Sequence, residues 1–317
     1  MLSPEIRLSN PTSGPTMVKR HADAFMPAYV RQSVQKLKVA APKLRLAHMP
    51  GGARDRALTG RKDVVRPPDD KLPALLVSFV YLRNWLKNQA AFLYRDWMLD
   101  SGAFSAFKSG VTIDIDEYIE TCKNLLSEDP TLVEVVSLDV IGGNYKQGIC
   151  NTERMWSAGV PAIPVYHIGE PWSVLEYYAK HSPGKIGVGK GNMPSGHAMK
   201  AFGQVFARVW PARVHGFGIF NERIVLSFPW HSVDATNWEL QPCKYGSWKS
   251  FGGKRLSIRG SLQNIRGEVK HYLDLERKAR ARWRTEMALL EKECGPWPIR
   301  TFSDFQVKTQ HNQRSQS

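Results

Sequence analysis

Three aspartates stand where apolar, strand-like runs give way to loop. Asp100 follows Trp97-Met98-Leu99, Asp139 ends Leu132–Asp139, and Asp234 ends His231–Asp234. Carboxylates in such a set suit glycosyl chemistry. Two that flank an anomeric carbon carry out a retaining displacement, one attacking while the other handles the proton. A third facing a purine accepts from N1–H and the exocyclic amine, a donor pair that guanine alone presents among the common bases. Asp100 opens Asp100-Ser101-Gly102-Ala103-Phe104. There the turn residues break the strand, Gly102 lets backbone approach a flat ligand, and Phe104 offers a ring. The competing reading makes Asp100 an Asx turn or the cap of the next helix. On this stretch alone the two readings stand level.

Other polar clusters are weaker. Gly184-Lys185-Ile186-Gly187-Val188-Gly189-Lys190-Gly191 has the spacing of a phosphate loop, but Gly191 replaces the hydroxyl residue that binds Mg²⁺. Ile186 and Val188 also read as strand, so the glycines are assigned instead to close backbone approach at a ligand. His167-Ile168-Gly169-Glu170 lacks a second His/Cys cluster at ligand spacing, so His167 is taken as a hydrogen-bonding pocket residue and no metal is expected. Asp114 and Asp116 sit at a helix start, where acids favour the dipole.

The elements that position these groups alternate. An apolar run at Leu75–Leu82 precedes Trp97–Asp100, and a helical period over Asp114–Ser127 leads into Leu132–Asp139. A short helix over Asn151–Gly159 precedes the strand Pro161–His167. Helix Trp172–His181, strand Lys185–Lys190, helix His197–Val209, strand Arg213–Ile219, helical turn Glu222–Phe228 and strand His231–Asp234 continue the series. Such alternation implies parallel βα units, and seven or eight repeats favour an α/β (β/α)8 TIM-type barrel over an open sheet. The polar or glycine strand ends at Asp100, Asp139, His167, Gly189, His215 and Asp234 then share one mouth, where barrel active sites lie.

The domain reading is a basic N-terminal extension and loop over 1–70, a barrel over 71–262, a basic C-terminal helix closing it over 263–308, and a disordered tail over 309–317. Pro4, Pro11 and Pro15 open the chain with loop chemistry. Ala22–Val39 reads as a helix, Lys43–Ala47 as a possible first strand, and Arg54–Asp70 as a cationic loop. Lys254–Ile258 offers a last strand, and Asn264 to about Lys292 reads as one long helix with a basic face.

Composition narrows the class. The 317 residues are 42% hydrophobic and 10% aromatic, which excludes bulk disorder. Lys+Arg number 44 against 29 Asp+Glu, a formal charge of +15. That excess makes nucleic acid the first candidate partner, against a basic surface kept only for solubility. Cys122, Cys150, Cys243 and Cys294 are scattered without a Cys-x-x-Cys, which implies free thiols in a reducing compartment. The apolar runs are too short to span a bilayer and the N-terminus has no apolar signal region. A cytoplasmic protein with no membrane contact is expected.

From about Leu72 to Trp238 these motifs, in this order, resemble the tRNA-guanine transglycosylase superfamily, and more closely its DNA-acting, DpdA-type members that place 7-deazaguanines in DNA. The resemblance implies that Asp100 is the general acid/base, that Asp234 in Ser-Val-Asp-Ala-Thr-Asn-Trp is the nucleophile, and that Asp139 reads the base. Ser101 and Gly102 belong to the family's Asp-Ser-Gly-Gly-aromatic motif, with Phe104 stacking on guanine. Ile186 and Gly187 fall in its base-contacting Gly-Gly-Leu-Ala-Val-Gly strand, and His167 stands where the family has a pocket glutamine. His215 and Gly216 fall in its Met-Gly-Val-Gly segment, with His215 as the second stacking residue. DNA and a free base such as preQ0 are the implied partners, with no cofactor. The Cys-x-Cys-x-x-Cys and His zinc site of the tRNA enzymes has no counterpart after Trp238. The rivals are the same exchange on tRNA, a non-catalytic nucleic-acid-binding barrel, and an unrelated barrel enzyme acting on a small anionic metabolite.

Overall fold

A computed structural model describes residues 2–4, 72–91, 94–142, 144–190, 193, 195–235, 246–252, 254–255, 262–295 and 297–299. The expectations for 22–39, 43–47, 54–70, Gly191 and 309–317 lie outside these residues. The protein is a mixed α/β structure built on parallel strands. The strands are β1 (Leu2–Pro4), β2 (Leu75–Ser78), β3 (Trp97–Asp100), β4 (Leu132–Val135), β5 (Val165–His167), β6 (Lys185–Gly189), β7 (Arg213–Phe217) and β8 (Ser232–Ala235). A short antiparallel pair follows, β9 (Ser247–Trp248) with β10 (Lys254–Arg255).

The strands pair in parallel as β2-β3-β4 and as β5-β6-β7-β8-β1. A bridge between Val136 and Ile163 joins the two sets, with Ser137 N–H donating to Ile163 O and Ile163 N–H to Val135 O, both at 2.9 Å. At the far edge β1 lies against β2. Pro4 carries a loop signal, yet it closes β1 as its last residue. A proline at the end of a three-residue strand costs the ladder little.

Helices fill the connections: α1 (Leu82–Asn88), α2 (Ala103–Ser109), α3 (Ile115–Glu128), α4 (Tyr145–Ser157), α5 (Trp172–His181), α6 (Ser195–Val209) and α7 (Glu222–Ser227). The N-terminus of α3 is capped by Asp114, whose Oδ1 accepts from Asp116 N–H and Glu117 N–H. Helix α4 starts at Tyr145, well before the expected Asn151, because Asn144 caps it through Gln147 N–H. The C-terminal segment is two helices, α8 (Leu262–Arg282) and α9 (Arg284–Cys294), broken at Trp283.

Alternation along the strands separates two faces. Val77, Leu99 and Val135 pack under the helices with Trp85, Tyr118, Cys122 and Met155. Ile186, Val188, Val214 and Val233 do the same with Leu175, Phe202 and Phe206. The opposite face collects Leu76, Met98, Val136, Ile163 and Val165, with Phe217 and Trp297 against them. On that face, near the strand starts, Lys185 Nζ donates to Glu134 Oε1 at 2.7 Å, reaching from β6 to β4 past β5. Trp297 Nε1–H donates to the same oxygen at 2.6 Å. Burial pulls the Lys185 ammonium below its ordinary range, against the pull of Glu134. Arg213 holds the Cys294 and Gly295 carbonyls, tying the end of α9 to the start of β7.

Candidate active site at the C-terminal strand ends

Register puts the chemistry on the face that carries Leu76 and Met98. Along each strand the same-face positions recur two residues apart, so Leu76 leads to Ser78, Met98 to Asp100, and Val165 to His167. On the other side Lys185 leads to Gly187 and Gly189, Arg213 to His215 and Phe217, and Ser232 to Asp234. Ser78 pairs with Asp100, His167 with Gly189, and Gly189 with Phe217. Gly187 pairs with His215, and His215 with Ser232.

The first group gathers around Asp139. Its Oδ1 accepts from Ser101 Oγ at 3.0 Å, and its Oδ2 lies 2.9 Å from His167 Nε2. Ser101 also accepts from Ala103 N–H. The neighbouring Asp100 accepts from Gly102 N–H through Oδ2 at 3.0 Å, so the Asx-turn reading is realised together with the placement at a strand end. Gly102 has φ +78°, and a Cβ there would stand 2.8 Å from Ser78 Oγ and 2.9 Å from Val80 Cγ2. Glycine is required at that position on both counts.

His167 lies between two acids. Its backbone N–H donates to Glu170 Oε2 at 3.0 Å while its ring faces Asp139. Burial alone would lower its pKa. The Asp139 hydrogen bond and the charges of Asp139 and Glu170 outweigh that and raise it above the ordinary 6.5. The ring also covers Gly189, where a Cβ would meet Nδ1 at 2.9 Å.

The second group surrounds Asp234, which is 2% exposed. Its Oδ1 accepts from Gly218 N–H at 2.9 Å and lies 3.5 Å from His215 Nε2. His215 Nδ1 is 2.7 Å from Ser232 Oγ. Burial, aided by the Lys185 cation, keeps His215 well below 6.5 and therefore neutral. With a carboxylate facing Nε2, the consistent tautomer carries its proton there, and Ser232 donates to Nδ1. At 3.5 Å Nε2 is close to Asp234 Oδ1 without a formed hydrogen bond.

Phe217 links the groups. Its ring sits edge-on to His215 at 4.4 Å and occupies the space over Gly187, where a Cβ would lie 2.5 Å from Cε2. The row runs Asp139, His167, Gly189, Phe217, His215, Asp234. Gly187 and Gly189 thus make room for the protein's own rings. The Ile186 side chain packs on the helix side with Val188, and Gly187 N–H is engaged by Pro164 O at 2.8 Å. His215 lies one step deeper than the expected stacking position, and Phe217 is the ring nearer the strand end. Gly216 packs against Ile219 and Trp230 rather than toward the site face. Phe104 sits on α2, half-exposed, with Lys108 Nζ 4.2 Å above its ring.

Sequence reasoning missed Phe217, Ser232 and the Gly218 N–H. A period of two from Arg213, and back from Asp234, would have found the first two. Among the described residues no three His, Cys, Asp or Glu side chains come together in a way that could hold a metal ion. No helix among them is long and apolar enough to cross a membrane. No family model, curated protein or solved structure matches the chain.

Proposed function

We propose that the chain is a DNA-guanine transglycosylase on a (β/α)8 barrel, exchanging guanine in DNA for a 7-deazaguanine such as preQ0. The observation that carries this reading is the row of polar groups along the strand ends. Asp100 ends β3 and Asp234 is the penultimate residue of β8, both on one face, and a third carboxylate is tied both to the residue after Asp100 and to His167. Closure of the barrel is supported by β1, which pairs with β8 and lies against β2, and by the Val136–Ile163 bridge. The Lys185–Glu134 pair across β5 favours a curled sheet over a flat one.

The chemistry follows from the positions. The target guanine leaves its stack, at a cost of a few kcal/mol that basic contacts must offset. Asp139 accepts from N1–H and the exocyclic amine, oriented by Ser101 and His167. An Asp234 oxygen attacks C1′ and the C1′–N9 bond breaks. Asp100, protonated at this stage, gives its proton to the departing N9. The sugar is then held as an ester of Asp234. The incoming 7-deazaguanine loses its N9 proton to the Asp100 carboxylate, and its N9 displaces Asp234 from C1′ with net retention.

Labelled guanine exchange measured side by side on duplex DNA and on tRNA tests the reading, with digestion to nucleosides and mass spectrometry of the inserted base. Exchange on DNA with a covalent adduct that Asp234→Ala abolishes is the expected result. An adduct that survives Asp234→Ala, or wild-type protein that does not exchange guanine in DNA, removes the proposal, and exchange on tRNA alone assigns the rival substrate.

A further inference from the structure

Helix α2 is amphipathic in the wrong sense for a packed helix. It buries its small residues, Ala103 and Ala106, and turns its large ones outward: Phe104 is 36% exposed and Phe107 62%. Val111, just beyond the αL cap Gly110, continues the same 3-then-4 spacing and is also exposed. Val80, 39% exposed, lies against the Gly102 position at the N-terminal end of the same helix. The Phe107 ring approaches Gly142, in the loop that follows Asp139. An apolar rim therefore borders the Asp100–Asp139 side of the site. Single exposed apolar residues are ordinary, whereas a contiguous patch of this kind marks a contact surface.

The chemistry around the patch favours a nucleic acid over another protein. Lys108 lies on the same face with its ammonium over the Phe104 ring, and the chain carries a net charge of +15. Aromatic rings interleaved with cations suit stacked bases flanked by phosphates. We infer that Phe107 is a wedge that enters the base stack of duplex DNA and fills the space left by the extruded base, with Val80 and Val111 against the flanking sugars. The inference rests on the proposed function for the identity of the extruded base. Insertion of an apolar side chain between base steps is the general way a protein holds a duplex open.

The test uses a duplex carrying 2-aminopurine beside a guanine, whose fluorescence rises when stacking is lost. Wild type, Phe107→Ala and Phe107→Trp are compared at saturating protein, and guanine exchange is measured on the same sequence as duplex and as single strand. The wedge predicts that Phe107→Ala loses most of the fluorescence rise and that Phe107→Trp restores it. Phe107→Ala should slow duplex exchange about 10- to 100-fold, the loss of part of an unstacking energy, while single-strand exchange stays within about twofold. Thermal melting of Phe107→Ala should match wild type, because the ring is exposed.

Equal opening by Phe107→Ala, equal loss on single strands, or no opening by wild type overturns the wedge. So does a wild-type dimer that Phe107→Ala dissolves, which would assign the patch to a second copy. Opening that depends on Phe107 without any guanine exchange keeps the wedge and removes the transglycosylase. Exchange that ignores Phe107 does the reverse.

Discussion

Replacing His215 separates two contributions, one to stability and one to chemistry. The imidazole is 1% exposed, with Nδ1 at 2.7 Å from Ser232 Oγ and Nε2 at 3.5 Å from Asp234 Oδ1. Burial holds its pKa well below 6.5, and the same is true of His231. For a histidine with a depressed folded pKa, the unfolded chain binds the proton first. Stability is therefore complete above about pH 6.5 and falls as pH drops toward the folded value. Each such group contributes a limiting slope of about 1.4 kcal/mol per pH unit, so the pair contributes about 2.8 kcal/mol per unit once the pH is a unit or more below about 6.5. His215→Leu should remove about half of that slope. It should also cost about 1–3 kcal/mol at about pH 7 from the stranded Ser232 hydroxyl. Urea denaturation from about pH 5 to about pH 7, across the ordinary histidine range, reads both quantities. If Nε2–H orients Asp234 in the reacting complex, His215→Leu should lower the exchange rate about 10- to 100-fold, corresponding to about 1.4–2.8 kcal/mol. His215→Gln, which keeps an N–H toward Asp234, should recover most of it. An acid slope unchanged in His215→Leu would refute the neutral-imidazole argument, whatever happens to activity.

Other perturbations test the surroundings. Lys185→Met leaves Glu134 buried with only the Trp297 N–H, and should cost about 3–5 kcal/mol in urea denaturation. Adding Glu134→Gln should recover most of that loss, because the amide oxygen still accepts from Trp297. Gly187→Ala drives a methyl against the Phe217 ring and should cost about 1–3 kcal/mol, relieved in the Gly187→Ala/Phe217→Leu double variant. His167 has a raised pKa, so its pairing with Asp139 contributes fully below about pH 6.5 and is lost as pH rises through the folded value. Denaturation curves from about pH 6 to about pH 9, the window spanning that loss, should show a decline that His167→Asn abolishes.

Period-two patterning makes the parallel strands and their polar ends legible, because an apolar run that stops at Asp or His sets a polar group at the edge of the core, where it must find a partner. The lost hydroxyl position and the apolar alternation argue against a phosphate loop at Gly184–Gly191, and Lys185–Gly189 is indeed a strand. Its lysine pairs with Glu134, 51 residues away, and no local pattern announces a partner so distant. The same holds for Phe217 over Gly187. Glycines in a strand signal room for something, but the ring that fills this space comes from the next strand. Trp283, which breaks the C-terminal helix, lies within an unbroken helical period and carries no breaker signal.

The two aspartate–histidine pairs differ in a way the proposed chemistry would require. His167 is 28% exposed at the side chain and flanked by Asp139 and Glu170, an environment that favours the imidazolium. Under the proposed function, an imidazolium there would balance the carboxylate that accepts two N–H groups from a guanine edge. His215 is buried near the Lys185 cation and stays neutral. A neutral donor can orient Asp234 without neutralising it, and a carboxylate firmly paired to a cation would be a poorer nucleophile. On that reading, exchanging the two environments would leave the proposed base-reading carboxylate without a cation and the proposed nucleophile with too strong a partner. Burial decides between the two states: one imidazole lies at the strand end beside two acids, and the other lies one layer deeper beside a lysine.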